Sequence, residues 1–329
     1  MPPLRPEFDA PPPAAGGRLK AYLQLLRLPN VFTAMADVLM GYLVVRGDQT
    51  GGGPLLLAAL VGASSLLYLA GMALNDLFDR EQDARERPQR PIPSGRVSPR
   101  AAAWLGAELL LLGAGLGWLA SSLIGGARAG ATATLLAASV VLYDRWLKRT
   151  PLGPAAMGCC RALNVLLGMS AAPVIWQTPH ALIAAGLGTY IAGVTWFART
   201  EAAVSRRRAL AGAVAVMAAG VALVAAFPRF AADGDLAIFA RVDAGRWYVL
   251  WLALFLLIGG RAAAAVADPS PRNVQRAVKN AILSLIVFDA AVAFAVRDWG
   301  LPVADWSGAV AILLLVVPAL FLGRWIYST

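Results

Sequence analysis

The sequence predicts an all-α fold, a polytopic membrane bundle of transmembrane helices. Of its 329 residues, 59% are hydrophobic and only 15% are charged, and the mean hydropathy of +0.64 lies far above that of soluble domains. Ten apolar runs are long enough, or nearly so, to cross a hydrocarbon layer of about 30 Å as helices of about 20 residues. We therefore expect a chain that crosses the membrane repeatedly.

The ten predicted spans follow one another with short connections. They lie near residues 28–45, 55–75, 101–124, 129–146, 154–175, 181–199, 209–227, 247–266, 277–296 and 306–326. Residues 1–18 are rich in proline and have no apolar segment of the signal-peptide type, so they are predicted to be a disordered cytoplasmic tail. Residues 19–329 are predicted to form one transmembrane domain.

The distribution of basic residues predicts the topology. With the N-terminus in the cytoplasm, the cytoplasmic segments hold 22 of the 29 Lys and Arg residues and the outer loops hold six, while Arg161 lies within a span. This asymmetry predicts ten spans with both termini inside, in a membrane of the bacterial inner-membrane type. It also accounts for the net charge of +10 through contact with anionic lipid, without nucleic acid. His180, the single histidine, falls in a predicted outer loop and is expected at the surface.

The candidate site is residues 71–96, GMALNDLFDREQDARERPQRPIPSGR, at the end of the second apolar run. At about 100° per residue on a helix, Asn75, Asp76, Asp79 and Asp83 face one way. Oxygen ligands at this density favour Mg²⁺ bound by carboxylates, waters and the phosphates of a ligand. The alternative is a solvated helix end whose acids pair with neighbouring arginines, here Arg80, Arg85 and Arg87.

Basic residues follow these acids at the same predicted membrane face. They are Arg85, Arg87, Arg90 and Arg96 in the proline-containing loop, and Lys148 and Arg149 after the fourth span, beside Tyr143. Because guanidinium groups bind phosphate oxygens bidentately, acids for a metal and bases for phosphate together suit a diphosphate.

Charged residues within the spans are further candidates. Arg161 and Asn164 share one helical face, and Arg161 either points into a polar cavity or snorkels to the cytoplasmic interface. Asp37 in the first span and Asp289 in the ninth are buried acids, and an intramembrane acid is a functional candidate by default. Arg276, Lys279 and Asn280 are possible partners of Asp289.

Several motifs resemble those of the UbiA-type intramembrane prenyltransferases. NDLFDREQD matches their NDxxDxxxD signature, RPQRPIPSGRVS resembles the loop that follows it, and YDRWLKR and RALNVLLG resemble their fourth and fifth helices. The resemblance covers roughly residues 20–326. It implies an all-α fold, usually of nine spans around a central cavity, and Mg²⁺-dependent ionisation of an isoprenyl diphosphate with transfer of the prenyl group to a small, commonly aromatic, acceptor.

The resemblance also assigns residues. Asn75, Asp76, Asp79 and Asp83 would hold Mg²⁺, with Asp76 and Asp79 essential for catalysis, and Arg90, Lys148 and Arg161 would bind the diphosphate. Arg149 beside Lys148, and Asn164 on the helical face of Arg161, are added as candidate diphosphate ligands. The family's second acidic motif, at the end of the sixth helix, is reduced here to Glu201. This form looks most like the EboC-like branch, whose members are encoded among genes for secondary metabolites.

The reduced second motif leaves several alternatives open. Glu201 either holds a second Mg²⁺ or pairs with a nearby arginine such as Arg199. A terpene cyclase, or a carrier or transporter that lost the second motif, would have much the same sequence pattern. The acceptor, the prenyl chain length and the oligomeric state are not specified by the sequence.

Overall fold

A computed structural model describes residues 15–46, 53–171, 176–199, 204–230, 244–297 and 307–327, which form α-helices joined by short turns and 3₁₀ segments. The helices are α1 (Ala15–Leu25), α2 (Val31–Arg46), α3 (Gly53–Phe78), α4 (Arg80–Glu86), α5 (Pro99–Ile124), α6 (Arg128–Arg145), α7 (Gly153–Met169), α8 (Thr178–Ala198), α9 (Arg207–Ala226), α10 (Ala244–Ala267), α11 (Pro271–Arg297), α12 (Ser307–Leu314) and α13 (Val316–Tyr327). Residues 1–14 of the predicted tail lie outside the described residues. The predicted boundary at residue 18 is wrong, because α1 already begins at Ala15.

Eight segments of the described chain are helical, long and apolar enough to cross a membrane. They coincide with eight of the ten predicted spans, and α6 and α7 occupy the other two places. α7 has only 17 residues, and the 18 residues of α6 include Arg128, Asp144 and Arg145, so composition alone does not identify them as spans. The predicted all-α membrane fold is confirmed. Helices suit a membrane because they satisfy their own backbone hydrogen bonds in lipid.

Glycines bring α7 close to its neighbours. A Cβ on Gly158 would lie 2.5 Å from the Gly188 carbonyl oxygen of α8, and one on Gly41 of α2 would lie 2.6 Å from the Val165 carbonyl oxygen. Larger side chains at these positions would push the backbones apart, so small residues permit the close helix contacts typical of membrane proteins. α7 is therefore held between α2 and α8.

Local sequence signals set the ends of α5, which packs along α3. The Ser98 hydroxyl accepts a hydrogen bond from the Ala101 amide at 3.1 Å and Pro99 begins the helix, a common N-terminal arrangement. Gly125 ends it in the left-handed conformation, with φ of 71°, which glycine adopts without steric cost.

An aromatic cluster fixes α11 against α8 and α10. The ring of Tyr190 meets Phe288 edge-on with centroids 5.0 Å apart, and Trp251 lies 5.1 Å from the same ring. The Tyr190 hydroxyl donates to the Ala281 carbonyl at 3.0 Å, which satisfies its polar end. This packing sets the position of α11 beside the central cavity.

The expected surface position of His180 is wrong. His180 lies in the first turn of α8 and is 2% exposed, and its Nδ1 accepts a hydrogen bond from the Gln177 amide at 2.9 Å. Pro179 begins a helix here rather than a loop, because proline suits the first turn, where its missing N–H costs nothing.

Candidate functional site

A cavity of about 300 Å³ lies between α2, α3, α6, α7, α8 and α11. Its walls are largely apolar and include Leu67, Leu136, Val140, Met157, Ile191, Val194, Ile282 and Leu285. Polar side chains at one end are Arg27, Asn75 and Asp144, and those deeper in the bundle are Thr33, Ser64, Arg161 and Asn164. An apolar cavity with a few convergent polar groups is the usual form of a small-molecule site.

The aspartate motif spans the junction of α3 and α4. α3 ends at Phe78, yet Asp79 still donates its amide to the Asn75 carbonyl at 3.0 Å and Asp83 donates to the Asp79 carbonyl at 2.8 Å. The chain thus continues helically across the junction with a local kink. The four predicted metal ligands consequently divide into two pairs, each facing a different base.

Asp76 and Asp83 share Arg90. Nη1 of Arg90 lies 3.3 Å from Oδ1 of Asp76 and 2.7 Å from Oδ2 of Asp83. Nη2 of Arg27 lies 2.8 Å from the same oxygen of Asp76. Asp76 and Asp83 are only 3% and 4% exposed, so these contacts are well protected from solvent.

Asn75 and Asp79 share Lys148. Nζ of Lys148 donates to Oδ1 of Asn75 at 3.0 Å and to Oδ2 of Asp79 at 2.7 Å. Nη2 of Arg149 lies 3.3 Å from the other oxygen of Asp79. A 3₁₀ turn at Leu147–Arg149 places both bases under the motif.

The loop that carries Arg90 is anchored to α1. Arg96 donates from Nη1 to the Gln24 side chain at 2.7 Å and from Nη2 to the Gln89 carbonyl at 2.6 Å. Ile92 and Val97 are buried in a small apolar cluster with residues of α1. The prolines that stop α4 therefore begin a structured loop, and this loop presents Arg90 to the acids.

The motif acids do not form a solvated helix end, because Asp76 and Asp83 are buried and the three acids contact Arg27, Arg90, Lys148 and Arg149. Arg80, one of the neighbours expected to pair with them, lies instead 3.5 Å from Glu81. Opposite charges thus neutralise one another across the site.

The donor chemistry of the motif fits a hard divalent cation, since it consists of carboxylate and amide oxygens. Within the described ranges, no three His, Cys, Asp or Glu residues are grouped closely enough to hold a metal. Each of the three motif carboxylates instead contacts a cationic side chain. A metal would therefore enter only as these ion pairs open.

Arg161 and Asn164 form a second polar layer with α2. Nε of Arg161 lies 2.8 Å from Oδ2 of Asp37, without the alignment of a hydrogen bond, and Nη2 donates to the Thr33 carbonyl at 3.0 Å. Asn164 donates to Asp37 at 2.8 Å and accepts from Ser64 at 2.7 Å. Arg161 therefore points into the cavity, as one interpretation of the sequence predicted, and does not snorkel.

This second layer lies deeper than the aspartate motif. Ser64 precedes Asn75 by 11 residues on α3, which corresponds to about 16 Å along the helix axis. The structure thus brings Arg90, Lys148 and Arg149 to the motif and places Arg161 and Asn164 apart from them. The cavity connects the two layers.

Asp289 joins the second layer from α11. It is fully buried, and its carboxyl group lies against that of Asp37. Arg276 and Lys279, which the sequence suggested as its partners, are exposed. Apart from this contact between the two carboxyl groups, neither oxygen of Asp289 and only one of Asp37 has a hydrogen-bond partner in the described chain.

Two charged residues at the site were missed by the sequence interpretation. Arg27 adopts a left-handed conformation, with φ and ψ of 45°, directly before the turn that contains Pro29, and it reaches Asp76. Asp144 ends the fourth apolar run, as Asp76 ends the second, so the same argument could have identified it.

Glu201 lies outside the described residues.

The comparisons with known proteins agree with this geometry. The sequence model described as the UbiA prenyltransferase family matches residues 34–286. The digeranylgeranylglyceryl phosphate synthase of Methanopyrus kandleri is 35% identical over 163 residues, which cover 48% of this chain and 57% of that protein. The corresponding protein of Korarchaeum cryptofilum is 36% identical over 157 residues, 47% of this chain and 53% of that protein. The chain spans about half the length of the curated relatives it matches.

A solved structure of a UbiA homologue from Archaeoglobus fulgidus, bound to DMAPP and Mg²⁺, has the same fold. Its TM-score is 0.54 at 16% identity, and the match covers 83% of this chain and 98% of that one. The family match extends over most of the chain, including α3, the 3₁₀ turn with Lys148 and Arg149, and α7. The chain therefore belongs to the UbiA prenyltransferase family.

Proposed function

We propose that this protein is a membrane prenyltransferase that ionises an isoprenyl diphosphate with the help of Mg²⁺ and transfers the prenyl group to a small acceptor. The curated relatives that match are named digeranylgeranylglyceryl phosphate synthases. The Archaeoglobus homologue, which shares the fold, binds DMAPP and Mg²⁺. Both support the reaction type, and neither specifies the acceptor used here.

The observation that carries this proposal is the arrangement of charge around an apolar cavity. Four bases and the three motif carboxylates converge beside the end of the cavity that Arg27, Asn75 and Asp144 line, and the cavity leads from there to the Arg161 and Asn164 layer. A diphosphate at the charged end would place its prenyl chain along the apolar walls. The charged end and the apolar walls thus match the diphosphate and the prenyl chain of an isoprenyl diphosphate.

The bases would hold the diphosphate. Arg27, Arg90, Lys148 and Arg149 now contact the motif aspartates, and each could exchange an aspartate oxygen for a phosphate oxygen. Guanidinium groups bind phosphate bidentately and stabilise the negative charge that develops as the diphosphate departs. The apolar walls of α3, α6, α8 and α11 would keep water from the carbocation.

The carboxylates released by this exchange would hold the metal. Asp76, Asp79 and Asp83, with Asn75, offer the oxygen donors that Mg²⁺ prefers when substrate phosphates complete its shell. The bound ion would supply Lewis-acid stabilisation of the leaving diphosphate. Because the same ion pairs must open for both ligands, metal and diphosphate should bind cooperatively.

The reaction is tested with purified protein and a radiolabelled isoprenyl diphosphate. We expect Mg²⁺-dependent transfer of label to a lipid-extractable acceptor when membrane extract is supplied, and no transfer in the presence of EDTA. A labelled hydrocarbon or alcohol formed without an acceptor would indicate a terpene cyclase instead. Binding of the diphosphate with no product under either condition would indicate a carrier and would contradict the proposed transfer.

We also propose that the charged end of the cavity faces the cytoplasm, because the basic residues collect there. A cysteine at Gln82, which is exposed on α4, should be protected from a membrane-impermeant maleimide in intact cells. A cysteine at Gly126, exposed in the turn before α6, should be labelled. Both variants are made with Cys159→Ala and Cys160→Ala, since both native cysteines are free thiols, and the reverse labelling pattern would invert the topology.

A further inference from the structure

Asp144 is a buried carboxylate that faces the charged end of the cavity from α6. It is 3% exposed and lines the cavity with Asn75 and Arg27. A Cβ on Gly71, one helical turn before Asn75 on α3, would lie 3.9 Å from Oδ2 of Asp144. The carboxylate therefore lies close to α3, one helical turn before the aspartate motif begins.

Asp144 differs from the motif acids in having no base in contact. Asp76, Asp79 and Asp83 each have an ion pair, whereas Asp144 makes no hydrogen bond or ion pair with any residue that the structure describes. The charged groups near enough to act on it are Lys148, Asp79, Arg27 and Asp76. A carboxylate at this depth is stabilised when a cation joins it.

The diphosphate creates the need for such a cation. One divalent ion does not neutralise a diphosphate, and in the family resemblance the remaining charge is met by a second acidic motif that is reduced here to Glu201. We propose that Asp144 is a ligand of a second divalent cation, which enters with the isoprenyl diphosphate. This inference rests on the proposed function.

The geometry suits Mg²⁺ bound mainly by substrate. Asn75 and Asp144 both line the cavity, and Mg²⁺ commonly takes one or two protein ligands, several waters and phosphate oxygens. A closed cage of three acidic side chains is not required. Lys148, which now contacts Asn75 and Asp79, would move to the diphosphate as the cation enters.

The competing role for Asp144 is to orient Lys148 electrostatically without binding a metal. Both roles reduce activity when Asp144 is changed, so activity does not distinguish them. The number of bound cations does, because only a metal ligand changes it.

The test counts Mn²⁺ bound to the full-length protein with geranyl thiolodiphosphate, an analogue that resists ionisation. Equilibrium dialysis with electron paramagnetic resonance of free Mn²⁺ gives the number and affinity of bound ions. We expect two Mn²⁺ in the wild type and one in Asp144→Asn, with retained binding of the analogue. Glu108→Gln removes an acid from the exposed face of α5 and should still bind two.

Specific outcomes would overturn the inference. Wild-type protein that binds the analogue with a single Mn²⁺, or Asp144→Asn that keeps two ions at unchanged affinity, excludes Asp144 as a second-cation ligand and leaves the proposed function standing. Loss of the second ion in Glu201→Gln but not in Asp144→Asn assigns that ion to Glu201 and overturns it too. Wild-type protein that binds neither Mn²⁺ nor the analogue contradicts the proposed function itself.

Discussion

Replacing Asp79 with alanine should reduce prenyl transfer by on the order of 10³-fold, because the change removes a carboxylate that would hold the metal against the leaving diphosphate. Asp79 is also the anion that holds Lys148 and Arg149, at 2.7 and 3.3 Å. Its loss would therefore disturb both the metal and the bases. The loss should appear in turnover measured with radiolabelled diphosphate at saturating Mg²⁺.

Two matched variants separate charge from structure in this experiment. Asp79→Asn keeps the volume of the side chain and removes its charge, so it should lose nearly as much activity as the alanine variant. Glu81→Gln changes an acid two residues away whose side chain is 84% exposed, and it should retain wild-type turnover. An Asp79→Ala enzyme with unchanged turnover and unchanged Mg²⁺ dependence would show that the motif does not bind the catalytic metal.

Most of the helices of this protein could be predicted from composition because lipid imposes a simple rule. A span must be apolar and must satisfy its own backbone hydrogen bonds, so the apolar runs of the sequence correspond closely to α2, α3 and α5 to α13. The prediction placed His180 wrongly at a loop because Pro179 can begin a helix as readily as it can break one.

The acids of the site were predictable, whereas the individual ion pairs that they form with bases far along the chain were not. Asn75, Asp76, Asp79 and Asp83 lie within nine residues at the end of an apolar run, and helix geometry alone places them together. Arg27 lies 49 residues from Asp76, and Lys148 lies 69 residues from Asp79. Such pairings depend on how α1, α3 and α6 pack, which local sequence does not determine.

The contacts of the second polar layer were likewise not predictable, because they join helices that are far apart in the sequence. The sequence marked Asp37, Arg161 and Asp289 as buried charges because each interrupts an apolar run. It did not show that α2, α7 and α11 bring them together, since these helices are separated along the chain by the rest of the bundle. The layer combines two carboxyl groups with one guanidinium, so removing one of these groups should change the interactions of the other two.

Replacing Asp37 with alanine should destabilise the protein by about 3–5 kcal/mol, the usual cost of breaking a buried ion pair. Asp37 is fully buried, and Arg161 is 9% exposed, so the guanidinium would stay in the bundle with the Thr33 oxygens as hydrogen-bond acceptors. Asn164 would lose the acceptor of its 2.8 Å hydrogen bond. Asp289 would remain near Arg161 and offset part of this loss. Unfolding of the detergent-solubilised protein by heat or denaturant measures this change in stability.

The double variant Asp37→Ala with Arg161→Met tests the cause of this destabilisation. Removing both charges leaves no uncompensated guanidinium, and the buried carboxyl group of Asp289 can take up a proton once its cation is gone. The double variant should therefore recover most of the stability lost in the single variant. A single variant as stable as the wild type would show that Asp289 alone can balance Arg161. A double variant as unstable as the single one would instead attribute the loss to the hydrogen bond of Asn164. Recovery of stability in the double variant would establish that the two buried charges depend on each other, and that α2 and α7 are joined at this depth by charge as well as by the close contact at Gly41.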